Sequence, residues 1–125
     1  MKKAVVTDKA PKAIGPYSQA IVSGNLVFTS GQIPINPASG NLETGPIEKQ
    51  AELVFKNLGA VLKAAGSDLE KAIKVTVFLK NMDNFTRVNE IYSQHFKEVF
   101  PARSAVEVAR LPKDVDIEVE AIAYI

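Results

Sequence analysis

The sequence predicts an α+β or mixed α/β fold, a β-sheet of about six strands with two helices on one face. Two segments carry apolar residues at helical spacing, and short runs of alternating apolar and polar residues stand before, between and after them. The order is two or three strands, a helix, a strand, a second helix and two final strands, which is typical of a layered sheet with helices on one side. A length of 125 residues predicts one domain, residues 1–125.

The N-terminal third predicts strands joined by turns. Residues 3–6 form a short edge strand, and 17–22 and 26–30 alternate in the manner of strands. Ser23-Gly24-Asn25 between them is a hairpin-turn sequence. Residues 31–45 contain several prolines and glycines and predict a long loop.

The strongest helix signal follows this loop. Pro46 suits a first turn, Glu48 suits the positive end of the helix dipole, and Gly66 is a natural terminator. Residues 73–80 then alternate as a strand with one drier face. The apolar stripe of the helix consists of Ile47, Ala51, Val54, Leu58, Val61, Leu62 and Ala65.

A second helix is predicted to begin after Asp83 or Asn84, either of which can cap it, and to end before Pro101. Two strands follow at about 103–110 and 116–124, linked by residues 111–114. The apolar stripe of this helix consists of Phe85, Val88, Ile91, Tyr92, Phe96 and Val99.

Composition excludes several classes of function. Fifteen basic and fourteen acidic side chains give a net charge of +1, so no overall field attracts nucleic acid or an anionic membrane. The absence of cysteine excludes disulfides, thiolate metal sites and cysteine nucleophiles. No apolar run approaches the roughly 20 residues that span a bilayer. We therefore expect a cytoplasmic protein.

Two helices cover only one face of the predicted sheet. We expect Thr76, Ala105, Ala109 and alternate residues of the last strand on the other face. A wide face of small, apolar and isolated charged side chains is poorly suited to solvent. A closed homo-oligomer that packs these faces together would cover it.

Charged side chains in the last two strands indicate a site. Arg103 stands at the start of one strand, and Glu118 and Glu120 interrupt the otherwise apolar final strand. The arginine fork matches both oxygens of a carboxylate, so a site for a small acid is one interpretation. A structural ion pair of Arg103 with Glu118, with Glu120 or across a subunit boundary is the other.

Four segments resemble the YjgF/YER/UK family, also called RidA. They are AIGPYSQA at 13–20, TSGQIP at 29–34, RVNEIY at 87–92 and PARSAVEVARLPKDVDIEVEAIA at 101–123. The resemblance runs from about residue 4 to the end of the chain. It implies a fold like that of a chorismate mutase subunit, with three subunits forming a homotrimer around sites in the clefts between them.

The same resemblance implies an activity. Enzymes of the family hydrolyse reactive imines and enamines, such as 2-aminoacrylate and 2-aminocrotonate, to 2-keto acids and ammonia. Dehydratases that use pyridoxal phosphate release these compounds, which damage pyridoxal-phosphate enzymes. The resemblance implies a 2-iminobutanoate/2-iminopropanoate deaminase that needs no cofactor or metal.

Residue roles follow from the same match. Arg103 would clamp the substrate carboxylate, and Glu118 would hold the attacking water or the departing nitrogen. Glu118 and Glu120 share one face of an ideal strand, so periodicity does not choose between them. Only the family match selects Glu118, and Glu120 better suits an ion pair at the subunit boundary.

The remaining site residues come from earlier segments. Tyr17, matching a family tyrosine that reaches the site from the neighbouring subunit, would donate a hydrogen bond or cover an apolar part of the ligand. Ser30 and Gly31 would line the pocket, the serine orienting water and the glycine allowing close backbone approach. Asn89 would support the pocket or tie its helix to a loop.

Two positions limit the interpretation. His95, the one histidine, lacks a second metal ligand and a nucleophile partner, so we expect a lone exposed or half-buried side chain. Ala105 stands where many relatives have a cysteine, so functions of that thiol are not expected here.

A regulatory trimer that binds small carboxylates is the alternative function. Ribonuclease activity is disfavoured by the charge balance and by the lack of aromatic and basic stripes.

Overall fold

The computed structural model describes all residues from 1 to 125 and contains one six-stranded sheet and two α-helices. The strands are β1 (Lys2–Val5), β2 (Ala20–Ser23), β3 (Leu26–Thr29), β4 (Ala72–Leu79), β5 (Ala102–Glu107) and β6 (Ile117–Tyr124). The helices are α1 (Ile47–Ala64) and α2 (Phe85–Gln94). Neither helix combines the length and the apolarity that a transmembrane helix needs.

The sheet has the order β1-β2-β3-β6-β4-β5, so the last strand of the chain lies in its middle. All neighbours are antiparallel except β4 and β5, which are parallel and joined through α2. A parallel pair needs such a crossover, whereas the β2–β3 hairpin needs only Gly24 and Asn25. Gly24 has a positive φ of 59°, as predicted for a tight hairpin turn.

The first helix begins and ends close to the predicted positions. Pro46 is the N-cap, with Ile47 the first helical residue. Gly66 adopts a φ of 88° after the helix, and its N–H donates to the Lys63 carbonyl while the Ser67 N–H donates to that of Leu62. This Schellman arrangement satisfies carbonyls that the helix leaves free. The predicted apolar stripe is buried, except that Ala65 is only partly so.

Three predicted boundaries are wrong. β2 begins at Ala20, so Tyr17 lies in the irregular segment before the strand and not at its start. α2 ends at Gln94, and Val99 is 78% exposed, because the chain turns after Phe96 has reached the core. β5 ends at Glu107 and leaves Ala109 outside the sheet.

The register places Arg103 and Ala105 on the helix-covered face. They pair with Val75 and Val77 of β4, both of which are buried. The prediction that Ala105 lies on the helix-free face is therefore wrong. Because β5 alternates charged and small residues on one side with Ser104 and Val106 on the other, its sequence alone did not distinguish the two faces.

The helix-free face is partly apolar and partly charged. Thr76 lies on it as predicted, between Glu120 on one side and Ser104 on the other. Phe28 and Val106 are each 41% exposed on the same face. This face also carries the half-buried side chains Phe78, Glu118 and Ile122.

Candidate active site

A cleft of about 430 Å³ opens where the loop after β3 meets the first half of β6. It contains Tyr17, Ser30, Gly31 and Glu118, four of the residues that the sequence proposed for the site. The other lining residues are Pro11, Lys12, Ile14, Gln19, Thr29, Gln32, Ile33, Ile35, Pro112, Lys113 and Glu120.

A bulge in the sheet forms the floor of this cleft. The Thr29 hydroxyl accepts from the Ala121 N–H at 3.0 Å, and Gln32 bridges Val119 through both backbone groups. Ser30 and Gly31 therefore stand opposite the single residue Glu120. Bulges of this kind disrupt the ladder locally and often lie beside active sites.

Gly31 leaves room for the Glu118 side chain. A Cβ placed at position 31 would overlap the Glu118 carboxylate and would stand 2.7 Å from its Cδ and 2.9 Å from its Cγ. No real Cβ has such neighbours, so any larger residue at 31 displaces the carboxylate. The glycine that was expected to allow close approach of the backbone to a ligand thus accommodates a side chain of the same chain.

The Glu118 carboxyl is half-buried without an ion pair. Burial raises its pKa above the ordinary value of 4.5, and the neighbouring Glu120 carboxylate raises it further. A carboxyl with a raised pKa exchanges protons closer to neutral pH than an ordinary one. Glu118 can therefore serve as a proton acceptor and then as a donor in the cleft.

Gln19 anchors the segment that forms one wall of the cleft. Its amide oxygen accepts from the Thr7 N–H at 2.8 Å, and its amide nitrogen donates to the carbonyls of Thr7, Ala10 and Pro11 at 3.0, 3.4 and 2.8 Å. Only 4% of Gln19 is exposed. One buried side chain thus fixes residues 7–11 against β2.

Ser30 is hydrogen-bonded to the residue that follows Tyr17 in the same wall of the cleft. The Ser30 hydroxyl donates to the Ser18 carbonyl at 2.6 Å, so toward a water or ligand it can only accept. Tyr17 remains 49% exposed, and its phenol oxygen accepts a long bond from the Ile14 N–H at 3.4 Å. The phenol proton is free to be donated into the cleft.

Arg103 lies outside this cleft, beneath α2. Its Nη1 donates to the Asn89 Oδ1 at 2.6 Å, and its Cζ lies over the rings of Tyr92 and Phe85. The ion pair with Glu118 or Glu120 that the sequence left open is not formed within the chain, because the carboxylates lie on the opposite face of the sheet. Asn89 ties its helix to Arg103 rather than to a loop.

Arg103 differs from the other two arginines of the chain. Arg87 makes two bonds to the Glu48 carboxylate, and Arg110 makes two to that of Asp114. Arg103 has no carboxylate within ion-pair distance. Most of its N–H donors are therefore available to a ligand.

His95 is half-buried and does not line the cleft. Its ring stacks on Phe55 with centroids 5.0 Å apart, and its Nε2 lies 3.7 Å from a carboxylate oxygen of Glu52. No group of three or more His, Cys, Asp or Glu side chains is arranged to hold a metal ion.

Sequence reasoning did not identify every residue around the site. Gln19 was part of a recognised segment but received no role, although a polar residue next to a strand signals an anchor when it is buried. Lys12 and Lys113 reach the cleft from loops whose placement no periodicity reveals. Tyr92 and Phe85 were assigned to the apolar stripe of α2, and only the structure shows Arg103 against them.

The chain is similar to known proteins over nearly its whole length. The sequence model of the family described as endoribonuclease L-PSP matches residues 7–125. A RutC family protein of Pyrococcus horikoshii is 56% identical over 124 residues, which cover 99% of this chain and 98% of that protein. A human protein named 2-iminobutanoate/2-iminopropanoate deaminase is 48% identical over 123 residues, which cover 98% of this chain and 90% of that protein.

A solved structure resembles the whole fold. The crystal structure of Escherichia coli TdcF with bound serine superimposes with a TM-score of 0.93 at 45% identity, covering 98% of each chain.

Proposed function

The chain belongs to the endoribonuclease L-PSP family, known also as YjgF or RidA, and from that membership we propose that it is an imine deaminase. The reaction is hydrolysis of 2-imino or 2-enamino acids of three or four carbons to 2-keto acids and ammonia, which protects pyridoxal-phosphate enzymes. The name of the human relative and the serine bound to TdcF support this proposal. The name of the human relative refers to small 2-imino acids, and serine is itself a small amino acid.

The observation that carries the proposal is the state of the Arg103 guanidinium. It is held by a neutral amide and two aromatic rings, and no protein carboxylate occupies its donors. A planar fork kept in this way is suited to the carboxylate of a small acid, with charge-assisted bonds of about 1.5–3 kcal/mol. A structural arginine would resemble Arg87 or Arg110, which are paired.

We propose that each complete site forms between two subunits of a homotrimer. One subunit supplies Arg103 and Asn89, and its neighbour supplies the cleft with Tyr17, Ser30 and Glu118. Within one chain, Arg103 and the cleft residues lie on opposite faces of the sheet, so neither group alone has all the side chains that the reaction needs. This separation supports a site that is shared between two subunits. The partly apolar helix-free face supports the same assembly, because packing it against other subunits would bury Phe28 and Val106.

The reaction needs a water, a proton acceptor and a proton donor. Water adds its oxygen to the carbon of the protonated imine, and the carbon–nitrogen π pair moves to nitrogen. Glu118 takes a proton from the water and returns it to the nitrogen of the resulting amino alcohol. The carbon–nitrogen bond then breaks and ammonia leaves with the electron pair. The hydroxyl gives its proton to the Glu118 carboxylate, which passes it to the ammonia, so the products are the 2-keto acid and ammonium.

Within this scheme the other residues orient the substrate. Arg103 fixes the carboxylate and thereby the position of the reacting carbon, which contributes to the rate. The Tyr17 phenol donates to the water or the departing nitrogen, and the Ser30 oxygen accepts a hydrogen bond. Asn89 fixes one end of the Arg103 guanidinium.

A coupled assay tests the proposal. A serine dehydratase generates 2-aminoacrylate, and release of ammonia and pyruvate is followed with and without the purified protein. We expect acceleration by the wild type, loss of about 100-fold or more in Arg103→Ala, and little change in Arg87→Ala. Equal rates for wild type and Arg103→Ala would contradict the proposal. Binding of 2-ketobutyrate without turnover would favour the regulatory alternative.

A further inference from the structure

Two aromatic rings of α2 lie against the Arg103 guanidinium. Its Cζ is 4.7 Å from the centroid of the Tyr92 ring and 5.3 Å from that of Phe85. Both distances are within the range of cation–π attraction, which is strengthened where solvent is excluded. The Asn89 amide fixes the guanidinium from the same helix.

The ring of Tyr92, and not its hydroxyl, makes this contact useful. Tyr92 is only 5% exposed, and its buried hydroxyl has no hydrogen-bond partner. The Tyr92 ring packs edge-on against Phe55 with centroids 5.7 Å apart, and it touches Phe96 at a tilt with centroids 4.8 Å apart. Burial raises the pKa of the Tyr92 phenol, while the Arg103 charge opposes that shift, so the ring is neutral at physiological pH.

A neutral aromatic surface attracts a cation without using its N–H groups. A carboxylate would hold an arginine more strongly but would occupy the donors that a ligand needs, as Glu48 and Asp114 do for Arg87 and Arg110. Rings and one amide oxygen leave the remaining edge of the guanidinium free. They also restrict the orientation of the guanidinium before a ligand binds, so that less conformational entropy is lost on binding.

We propose that Tyr92 and Phe85 are positioning residues that hold Arg103 in the orientation in which it binds a ligand carboxylate. The inference rests on the proposed function for the identity of the ligand, but the support of Arg103 by the two rings is a property of the free protein. The proposal gives Tyr92 and Phe85, which the apolar stripe of α2 assigns to the core, a role in ligand affinity. The Tyr92 hydroxyl has no part in it.

Four substitutions separate this role from ordinary packing. Tyr92→Leu and Phe85→Leu each remove one of the two rings, and Tyr92→Phe keeps the ring while removing the hydroxyl. Phe96→Leu is the matched control, because Phe96 is 6% exposed in the same aromatic cluster but is not one of the two rings over which Arg103 lies. Thermal unfolding of each variant establishes that it is folded.

Affinity is the first measurement. We expect Tyr92→Leu and Phe85→Leu to raise the Kd for 2-ketobutyrate and the KM for the imine by about 3- to 30-fold, with a smaller fall in kcat. Tyr92→Phe and Phe96→Leu should bind within about twofold of the wild type. Equal losses in Tyr92→Phe and Tyr92→Leu, or in Phe96→Leu and Tyr92→Leu, would overturn the proposal.

Nuclear magnetic resonance provides a second measurement that does not depend on activity. The chain has three arginines, so the side-chain signals of Arg103 are identified by their loss in Arg103→Ala. Ring currents should shift its Hδ and Hε signals upfield in the wild type, Tyr92→Phe and Phe96→Leu, and this shift should decrease in Phe85→Leu and Tyr92→Leu. A wild-type signal at the position of an exposed arginine would overturn the inference.

The two measurements also distinguish this inference from the proposed function. The wild type could fail to bind 2-ketobutyrate and fail to hydrolyse imines, yet show the shifted Arg103 signals. That result would contradict the proposed function but confirm that the two rings hold Arg103. Should Tyr92→Leu fail to fold, Phe85→Leu decides, since Phe85 is only partly buried at the margin of the core.

Discussion

Arg103 and Glu118 lie on opposite faces of one sheet, with β4 between their strands. Arg103 pairs with Val75, which points toward the helices, and Glu118 pairs with Phe78, which points away from them. The two residues that carry the proposed chemistry therefore do not meet within one chain. Each has the environment that its role needs, an arginine without an ion pair and a carboxyl with a raised pKa.

Substitution of Gly31 should remove activity without unfolding the protein. In Gly31→Ala the new Cβ displaces the Glu118 carboxylate, which is the movable end of a side chain. We expect kcat/KM to fall about 100-fold, while the free energy of unfolding changes by less than about 1 kcal/mol. Gly59→Ala is the control, because its Cβ would stand 3.4 Å from Leu69 and make an ordinary contact. Wild-type activity in Gly31→Ala would show that the position of Glu118 is unimportant.

The raised pKa of Glu118 predicts a pH-dependent effect on stability. The fold disfavours the charged carboxylate, so its penalty is absent below the ordinary pKa of 4.5 and develops as the pH rises through the raised value. Glu118→Gln should unfold like the wild type near pH 4 and at higher temperature near pH 8. The gain should be below about 1 kcal/mol, because solvent screens a half-exposed group.

Exposed Glu90→Gln on α2 serves as the control for that comparison and should show no such pH dependence. Thermal unfolding of the three proteins across this pH range provides the measurement. A gain for Glu118→Gln that is largest at acidic pH would have the wrong sign and would exclude burial as the cause.

Loss of the Gln19 anchor should affect both stability and activity. Gln19→Ala leaves backbone groups of residues 7–11 without their partner, and we expect a cost of about 2–4 kcal/mol in chemical denaturation. Activity should fall as well, since the wall of the cleft that carries Tyr17 is released. Gln94→Ala, at an exposed position, should be neutral. Equal stability of the two variants would contradict the anchoring role.

The sequence predicted the sheet, both helices and the family because these depend on local periodicity and on long motifs. It placed Arg103 with Glu118 because both stand in neighbouring segments of the chain. Which face of the sheet each occupies depends on the parallel pairing of β4 with β5, a long-range register that β5's alternation of small and charged residues does not encode.

The same limit applies to two other features. The bulge at Ser30 and Gly31 depends on the Thr29 hydroxyl taking the place of a backbone partner for Ala121. The aromatic support of Arg103 depends on how α2 packs over β5, whereas its sequence pattern shows only an apolar stripe. Both are tertiary arrangements of residues that local rules assign to a strand end and to a core.

Mixing two inactive variants tests most directly whether sites form between subunits. Arg103→Ala and Glu118→Gln are purified separately, unfolded, combined in equal amounts and refolded together, and imine hydrolysis is compared with that of each variant refolded alone. If Arg103 and Glu118 of one site come from different subunits, random assembly restores about one quarter of the sites, with a corresponding share of wild-type activity. Activity no higher than that of the separate variants would contradict the account.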